Sequence, residues 1–308
     1  SAFYRPPLAV FAPADAIDIS GDITISGVPS QKPNGKFLLV AVQVEQPTGL
    51  GVLWAIVHPD RDVVPISSFL PEGIPEQEFT RQQRGLFDES QLLAAAAAAQ
   101  AAGLQVTVSG TGVRVLGTVP RSPAADQLRD GDVITAVNGS PVRIAEDLRR
   151  AVSSEPPGTP FVLRVEREGG ELEVEIRSAR LPTPDGSPAI GVLIETRDID
   201  VDLPFEIQFR DRNVGGPSAG LAYALAIADM LDPEDIARDR TIAASGTIQL
   251  DGEVGLVGGL SQKAEAAEDA DADLMLVPLE EIGELQDADL PVRGVDNLAD
   301  ALSLLTRA

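Results

Sequence analysis

One serine of this chain lies in a turn that is suited to acyl-transfer chemistry. Ser218 follows two glycines and a proline in the sequence VGGPSAG (214–220), and an apolar helix is predicted to begin directly after it. The first turn of a helix offers free backbone N–H groups and the positive end of the helix dipole, which together can stabilise an oxyanion. A serine in this position can also serve only as the helix cap. The spacing makes Ser218 a candidate nucleophile.

A serine nucleophile needs a general base, and the composition leaves few side chains for this role. The 308 residues include no cysteine and one histidine, His58, which stands before a proline and is expected to be a bystander. Lys263 lies in the first turns of a predicted helix, behind a glycine-rich turn, in GGLSQK (258–263). A lysine can accept a proton near pH 7 when burial lowers its pKa. Ser218 and Lys263 are therefore a candidate Ser-Lys dyad, a known variant of the catalytic triad.

The charge and the composition exclude several other classes of function. Asp and Glu number 48 against 24 Lys and Arg, which gives a formal net charge of −24. A surface of this sign repels nucleic-acid backbones and anionic lipids, so no nucleic-acid partner is expected. The sequence has no G-x-x-x-x-G-K-[ST] loop, so no nucleotide is expected either. With no cysteine and a single histidine, neither a metal nor another cofactor is predicted.

The elements that must position the dyad lie on both sides of a different middle segment. FLLVAVQV (37–44) and GVLWAIV (51–57) are predicted to be two strands joined by a turn. Polar sequence of irregular structure is expected over 59–88, and an alanine-rich helix over 91–103. Strands, among them IGVLIE, alternate with helices from residue 186 to the end of the chain. This content indicates an α+β fold.

The middle segment, residues 104–182, has five short alternating strands and one helix, which predicts a small, partly open five-stranded barrel. RSPAADQLRDGDVITAVNGSPV (121–142) and the helix IAEDLRRAVSS (144–154) after it resemble a PDZ domain of the bacterial type. The resemblance implies that an extended peptide pairs with a strand edge beside the helix, and that backbone N–H groups hold its terminal carboxylate. The groove residues expected on this basis are Leu104, Val106, Val108, Leu148 and Val152.

The motifs around the candidate dyad occur together in a known peptidase family. GGPSAG, then SGTI (245–248), then DGEVGLVGGLSQK resemble the proteolytic domain of the Lon family. The resemblance implies that Ser218 is the nucleophile and that Lys263 is its general base. It also implies that the backbone around Gly216 stabilises the oxyanion. Ser245 stands where the family usually has a threonine, and its hydroxyl is expected to orient the lysine.

The whole chain resembles the bacterial, membrane-anchored, extracytoplasmic serine peptidases that combine a PDZ domain with a Lon-like domain. This implies an ATP-independent endopeptidase for flexible or unfolded proteins, whose PDZ domain recruits substrate C-termini or gates the site. It also implies an N-terminal membrane helix ahead of this chain, and a homo-oligomer is a further expectation. The PDZ domain is expected to be inserted into the peptidase fold. The predicted domains are an N-terminal extended segment (1–29), the first part of the peptidase domain (30–103), the PDZ domain (104–182) and the catalytic part of the peptidase domain (186–308).

Two other classes of function stay open at this point. A non-catalytic PDZ adaptor would keep the dyad unassembled, and Lys263 would then be charged and paired with a carboxylate. Glu265 and Glu268 on the same predicted helix are candidates for that pairing. A Ser-Lys amidase for small amides would need no groove long enough for an extended peptide. The PDZ domain could also be a spacer with a closed groove.

Overall fold

The residues that the computed structural model describes are 6–56, 58, 61–66, 76–181 and 187–307. The chain divides into two units, and the second interrupts the first. The first unit joins Ser1–Gln105 to Leu203–Ala308, and the second unit is Val106–Asp202.

The N-terminal half of the first unit begins with short strands and ends with a long helix. Its elements are β1 (Leu8–Pro13), β2 (Ile17–Asp18), β3 (Ile23–Ser26), β4 (Lys36–Leu39), β5 (Val42–Glu45), α1 (Gly49–Ile56), β6 (Asp62–Pro65) and α2 (Glu76–Ala101). β1 is the central strand of an antiparallel sheet with β5 and β6. The segment 1–29, predicted to be separate, therefore belongs to this unit. The predicted strand 37–44 is split between β4 and β5, which lie in different sheets.

Two secondary-structure predictions for this half, a strand over 51–57 and irregular sequence over 59–88, are wrong. GVLWAIV (51–57) is not a strand but forms most of α1, and its last residue lies outside the described part of the chain. Val52 and Ala55 are buried whereas Trp54 between them is exposed, which is the spacing of a helix face and not of a strand. α2 begins well before the predicted start, because residues 76–90 are rich in Glu, Gln and Arg, which favour helix even without an apolar run.

Within the described residues, the second unit contains ten strands and one helix. Its elements are β7 (Thr107–Ser109), β8 (Val113–Thr118), β9 (Val133–Val137), β10 (Ser140–Pro141), α3 (Ala145–Ser153), β11 (Pro160–Arg167), β12 (Gly170–Arg177), β13 (Ala179–Arg180), β14 (Pro188–Ala189), β15 (Val192–Thr196) and β16 (Asp200–Asp202). The main sheet has the order β12-β11-β9-β8-β15, with β10 on β9. α3 covers one face with Ala145, Leu148 and Val152, which pack in a core with Phe161 and Ile176.

The strands of this main sheet are not the five that the sequence predicted. β7, predicted as a member, pairs only with β16 among the described strands. β15, predicted as part of the peptidase domain, is a member and pairs with β8. Residues 188–202 thus belong to the second unit, because their strands find their backbone partners there. The predicted boundary at 182–186 lies outside the described residues.

The C-terminal half of the first unit alternates strands with helices. Its elements are β17 (Glu206–Phe209), a 3-10 turn (Pro217–Ala219), α4 (Gly220–Leu231), β18 (Thr241–Ala244), β19 (Thr247–Ile248), β20 (Val254–Gly255), α5 (Leu260–Asp269), β21 (Leu274–Pro278), a 3-10 helix (Leu279–Leu285), β22 (Val292–Val295) and α6 (Leu298–Arg307). The main sheet has the order β2-β4-β18-β21-β22, and all neighbours except β2 and β4 run parallel. α5 packs on this sheet: Leu260 and Ala264 share a core with Ala243 and Val277.

α4, which follows the candidate nucleophile, is buried over nearly its whole length. Every residue from Gly220 to Met230 is buried, and the alanine run of α2, Ala94–Ala99, is at most 3% exposed. Small side chains on both helices let them pack closely against each other. Tyr223 on α4 adds an edge-to-face contact with Phe87 on α2, with ring centroids 5.9 Å apart. The two helices therefore form a rigid support for the turn that carries Ser218.

Candidate active site

The turn with Ser218 is fixed to the end of β18 by backbone hydrogen bonds. The carbonyl of Ser218 accepts the N–H of Gly246 at 2.9 Å, and the N–H of Leu221 donates to the carbonyl of Gly246 at 3.0 Å. A Cβ atom on Gly220 would lie only 2.8 Å from the Ile248 side chain, so glycine is needed for this approach. These hydrogen bonds hold the turn that carries Ser218 against the SGTI motif. The Ser218 side chain is half-buried.

Lys263 lies in the first turn of α5 with only 4% of its surface exposed. Burial lowers its pKa from 10.5 to about 8, against the opposing effect of the charge of Glu281. Among the residues that the structure describes, no ion pair joins the Lys263 ammonium to a carboxylate. The pairing that would hold the lysine charged in a non-catalytic adaptor is therefore not seen in this part of the chain.

Ser245 follows β18 and is fully buried. Its N–H donates to the carbonyl of Leu276 at 3.0 Å, but its hydroxyl has no hydrogen-bond partner. This backbone hydrogen bond extends the pairing of β18 with β21 by one residue beyond Ala244. A buried hydroxyl without a hydrogen-bond partner is unusual, which singles out Ser245 among the predicted site residues.

The acidic neighbour of Lys263 comes from a part of the chain that the sequence did not suggest. Glu281, on the 3-10 helix after β21, is half-buried, and burial raises the pKa of its carboxyl group. Its Oε2 accepts the N–H of Val257 at 3.0 Å, which ties it to the glycine-rich turn before α5. Glu268 instead accepts the N–H of Asp289 at 2.7 Å. The only signal in the sequence was a glutamate shortly after the buried strand that follows the lysine helix.

We expect Glu281→Gln to shift the pH dependence of any Lys263-dependent activity. The amide oxygen can still accept the Val257 N–H, but the negative charge that raises the pKa of Lys263 is lost. The pKa of the lysine then falls below about 8, so the acid limb of kcat/KM against pH moves to lower pH and the rate at pH 7 rises. Glu280→Gln, at the exposed neighbouring position, is the matched control. A limb that stays in place or moves to higher pH would contradict this assignment.

Gly216, predicted to supply an oxyanion N–H, already has a hydrogen-bond partner in the structure. Its N–H donates to the carbonyl of Gln83 on α2 at 2.8 Å. Gly216 is buried and has a φ of +86°. The predicted donor is therefore not directed at a substrate in this conformation. No feature of the sequence pointed to Gln83, which lies in the stretch predicted to be irregular.

The predicted strand of the PDZ groove is not beside α3. The N–H of Leu104 donates to the carbonyl of Ala99 at the end of α2, in the first unit. Val106 precedes β7, and Val108 within β7 pairs with Val201 of β16. The three residues are therefore not assembled with Leu148 and Val152, which are core residues of α3. The expectation followed from the resemblance to bacterial PDZ domains, in which the groove strand usually precedes the SPAA segment.

β15, from the other end of the unit, is one of the strands that contact α3. The N–H of Ala145, at the start of α3, donates to the hydroxyl of Thr196 at 3.1 Å. β15 is the last strand of the main sheet and pairs with β8, and among the described strands none pairs with its other edge. An edge strand beside a helix is the arrangement that accepts an extended peptide.

A tight loop leads into this edge strand. Gly191 has a φ of +77°, and a Cβ atom there would lie 2.2 Å from the Cβ of Ser122. The carbonyl of Gly191 accepts hydrogen bonds from the hydroxyl of Ser122 at 3.0 Å and from the N–H of Val119 at 2.9 Å. The SPAA segment thus holds the loop in place. The apolar-Gly-apolar sequence before β15, in PAIGV (188–192), was the signal that sequence reasoning missed.

We expect Gly191→Ala to weaken peptide binding at β15. The added methyl group overlaps Ser122, and alanine is strained at a positive φ, so the loop must move. Binding of a fluorescent peptide with a free C-terminus, followed by anisotropy, should weaken at least tenfold. Gly170→Ala, where a Cβ atom would meet nothing closer than 3.7 Å, is the control. Unchanged affinity in Gly191→Ala would place the peptide elsewhere.

These two units define the class of the chain. Residues 101–177 match the family described as PDZ domain, and residues 193–302 match the family described as Lon protease (S16) C-terminal proteolytic domain. The chain thus combines a segment that matches a PDZ domain with a segment that matches a Lon-type proteolytic domain, which supports the resemblance to PDZ-containing Lon-like peptidases that the sequence motifs predicted. The predicted α+β fold with an inserted PDZ domain is also confirmed.

Several particular proteins are similar to parts of the chain. The probable periplasmic serine endoprotease DegP-like of Chlamydia trachomatis serovar D is 41% identical over 80 residues, which is 26% of this chain and 16% of that protein. The Lon protease of Erwinia amylovora is 35% identical over 120 residues, 37% of this chain and 14% of that protein. The Lon protease of Escherichia coli K12 is 33% identical over 116 residues, 36% of this chain and 14% of that protein. The chain thus spans less than a fifth of these relatives.

Among solved structures, the PDZ domain of an SdrC-like protein from Listeria innocua aligns with 27% of this chain and 92% of its own, at 27% identity and a TM-score of 0.24. Within the described residues, no helix is long and apolar enough to cross a membrane. The same residues contain no group of three or more His, Cys, Asp or Glu side chains that could hold a metal ion.

Proposed function

We propose that this chain is an ATP-independent Ser-Lys endopeptidase that cleaves flexible or unfolded protein segments. The observation that carries the proposal is the buried Lys263, whose pKa is lowered to about 8 and which has no ion pair among the described residues. A fraction of such a lysine is neutral near pH 7, so it can accept a proton. The Lon-type proteolytic domain that contains it supports a hydrolytic role.

The reaction follows from the roles of these groups. The amine of Lys263 takes the proton of the Ser218 hydroxyl while Oγ attacks the scissile carbonyl, and backbone N–H groups stabilise the oxyanion. Collapse of this intermediate breaks the C–N bond, and the lysine ammonium returns the proton to the leaving amine. A water molecule then hydrolyses the acyl-enzyme by the same steps. The hydroxyl of Ser245 orients the lysine amine.

The PDZ domain recruits substrates through their C-termini at the edge of β15, or it gates access to the dyad. The free edge of β15, the adjacent α3 and the tight loop at Gly191 support peptide binding. An extracytoplasmic location with a membrane anchor belongs to the same proposal. The similarity to a protein described as periplasmic supports the location.

Cleavage of a chemically unfolded, fluorescently labelled protein without any nucleotide tests the proposal. We expect hydrolysis by the wild-type chain and a loss of about a thousandfold or more in kcat for Ser218→Ala. Ser261→Ala changes an exposed serine two residues before the lysine and should keep full activity. Hydrolysis that persists in the Ser218→Ala variant would contradict the proposed mechanism.

One observation favours a second candidate function, a non-catalytic PDZ adaptor. The Gly216 N–H is bonded to Gln83, so one donor of the expected oxyanion hole is occupied. An adaptor would show no hydrolysis of any substrate, with or without a peptide in the PDZ groove. It would still bind peptides with free C-termini, and Ser218→Ala would leave that binding unchanged.

A further inference from the structure

The first third of α2 holds the loop that leads to the candidate nucleophile. The carbonyl of Gln83 accepts the N–H of Gly216 at 2.8 Å, and a Cβ atom on Gly215 would lie 2.9 Å from the Cβ of Gln83. The next residue of the helix, Arg84, forms an ion pair with Asp211, which lies on the segment entering the loop. Two successive residues of α2 therefore fix this loop, one through its backbone and one through its charge.

The peptide between Gly215 and Gly216 is the element that this contact orients. Gly216 has φ +86° and ψ 157°, a region that is populated almost only by glycine. Rotation of the peptide plane by about 180° would bring φ of Gly216 to about −90°, which is sterically ordinary. Glycine stands on both sides of this bond, so no Cβ atom opposes the rotation. The peptide thus has two accessible orientations, and the one seen directs its N–H at α2.

The residues that follow do not share this freedom. Ser218 and Leu221 are both hydrogen-bonded to the backbone of Gly246, and α4 is buried over nearly its whole length. A rotation at Gly216 would therefore change which N–H groups face the substrate without moving the nucleophile away from the end of β18.

We propose that Gln83 and Arg84 form a latch that keeps the Gly216 N–H out of the oxyanion hole, and that turnover requires its release. Gln83 is a positioning residue in this scheme, because it acts through Gly216. The inference rests on the proposed function, since an oxyanion hole matters only if Ser218 is a nucleophile. Any substrate or partner that binds the released state better shifts the population towards it and activates the enzyme.

The absence of cysteine from the sequence allows a direct test of the latch by an engineered disulfide. Gln83→Cys with Gly215→Cys places two Cβ atoms close together, and a separation increase to about 3.5–4.5 Å completes the bond geometry. The oxidised double variant is expected to show a kcat about 100-fold below that of its reduced form, the effect of losing one oxyanion donor. KM should change little, and a thiol reductant should restore kcat.

The single variants Gln83→Cys and Gly215→Cys, treated with the same oxidant, control for damage at each position. Equal kcat in the oxidised and reduced double variant would overturn the latch, because α2 would then not need to separate from the loop. If the double variant is inactive even when reduced, the kcat of the Arg84→Gln variant tests the latch instead. Loss of its exposed ion pair with Asp211 is expected to raise kcat about two- to fivefold.

Arg81→Gln is the matched control for Arg84→Gln, because Arg81 forms its ion pair with Glu78 on the same helix. No rise in Arg84→Gln, or an equal rise in Arg81→Gln, would also overturn the latch. The two proposals fail differently. Hydrolysis that persists in Ser218→Ala contradicts the proposed function, whereas Ser218-dependent hydrolysis that ignores the disulfide contradicts the latch alone.

Discussion

Replacement of Lys263 by methionine is expected to abolish peptidase activity and, at the same time, to stabilise the protein. Methionine fills a similar volume but cannot accept the Ser218 proton, so kcat should fall about 10⁶-fold, as when a triad base is removed. The pKa of Lys263 is lowered from 10.5 to about 8 by burial. Keeping its ammonium charged in the folded protein at pH 7 therefore costs about 3 kcal/mol of unfolding free energy. The uncharged methionine side chain carries no such cost.

The pH dependence gives the sign of this effect. The folded protein binds the Lys263 proton more weakly than the unfolded chain does, so the penalty is full below about pH 8 and disappears as the pH rises towards 10.5. The gain in unfolding free energy in Lys263→Met should therefore be largest at neutral pH and shrink at alkaline pH. Denaturant unfolding at several pH values measures it.

Lys36→Met is the control for the Lys263 variant, because Lys36 is exposed and its replacement should change stability by less than about 0.5 kcal/mol. A Lys263→Met protein that is less stable than wild type at pH 7 would show that the ammonium has a favourable partner. That result would support the adaptor function, in which the lysine is charged and paired.

Arg167→Ala is expected to destabilise the PDZ unit more than any surface substitution in it. The Asp132 side chain is 1% exposed, and Arg167 contacts it through two nitrogens at 2.6 and 2.7 Å. Burial alone would raise the pKa of Asp132, but hydrogen bonds from Arg167 and from the Arg129 N–H outweigh it and lower the pKa. Removal of the arginine leaves a buried carboxylate without its charge partner, which costs about 3–5 kcal/mol.

Arg177→Ala provides the matched comparison on the adjacent strand. Arg177 pairs with Glu175 at 3.9 Å, and both side chains are about two-thirds exposed, at 65% and 66%. Its removal should cost less than about 1 kcal/mol. Scanning calorimetry of the full chain would follow both variants, and similar losses in the two would contradict the role assigned to the buried pair.

The sequence predicted those features that depend on short contiguous motifs. GGPSAG, SGTI and GGLSQK are contiguous motifs, and they led to the Lon-type proteolytic domain, to the α+β fold and to the candidate dyad Ser218 and Lys263, whose catalytic roles stay predictions. The dependence on glycine at Gly220 has a reason that only the structure supplies, which is the close approach of Ile248.

What could not be predicted depends on pairings between distant parts of the chain. β15 lies in the PDZ sheet because its backbone bonds to β8, and nothing in its own alternation distinguishes that partner from a strand of the other unit. Glu281 and Gln83 reach the candidate site from separate elements, and neither belongs to a motif. α1 was mistaken for a strand because a short apolar run is compatible with both structures.

The pairing of β7 with β16 has a consequence for how this protein can be rebuilt. Thr107 and Asp202 are direct partners in an antiparallel ladder, so their Cα atoms are about 4.5–5.5 Å apart. The first unit therefore ends before the second unit and resumes after it at almost the same point. A two-residue hairpin turn could join these two ends in place of the whole segment between Thr107 and Asp202. Residues 106–202 therefore form a unit whose two ends lie side by side. A gene could gain, lose or swap such a module without remodelling the fold that receives it.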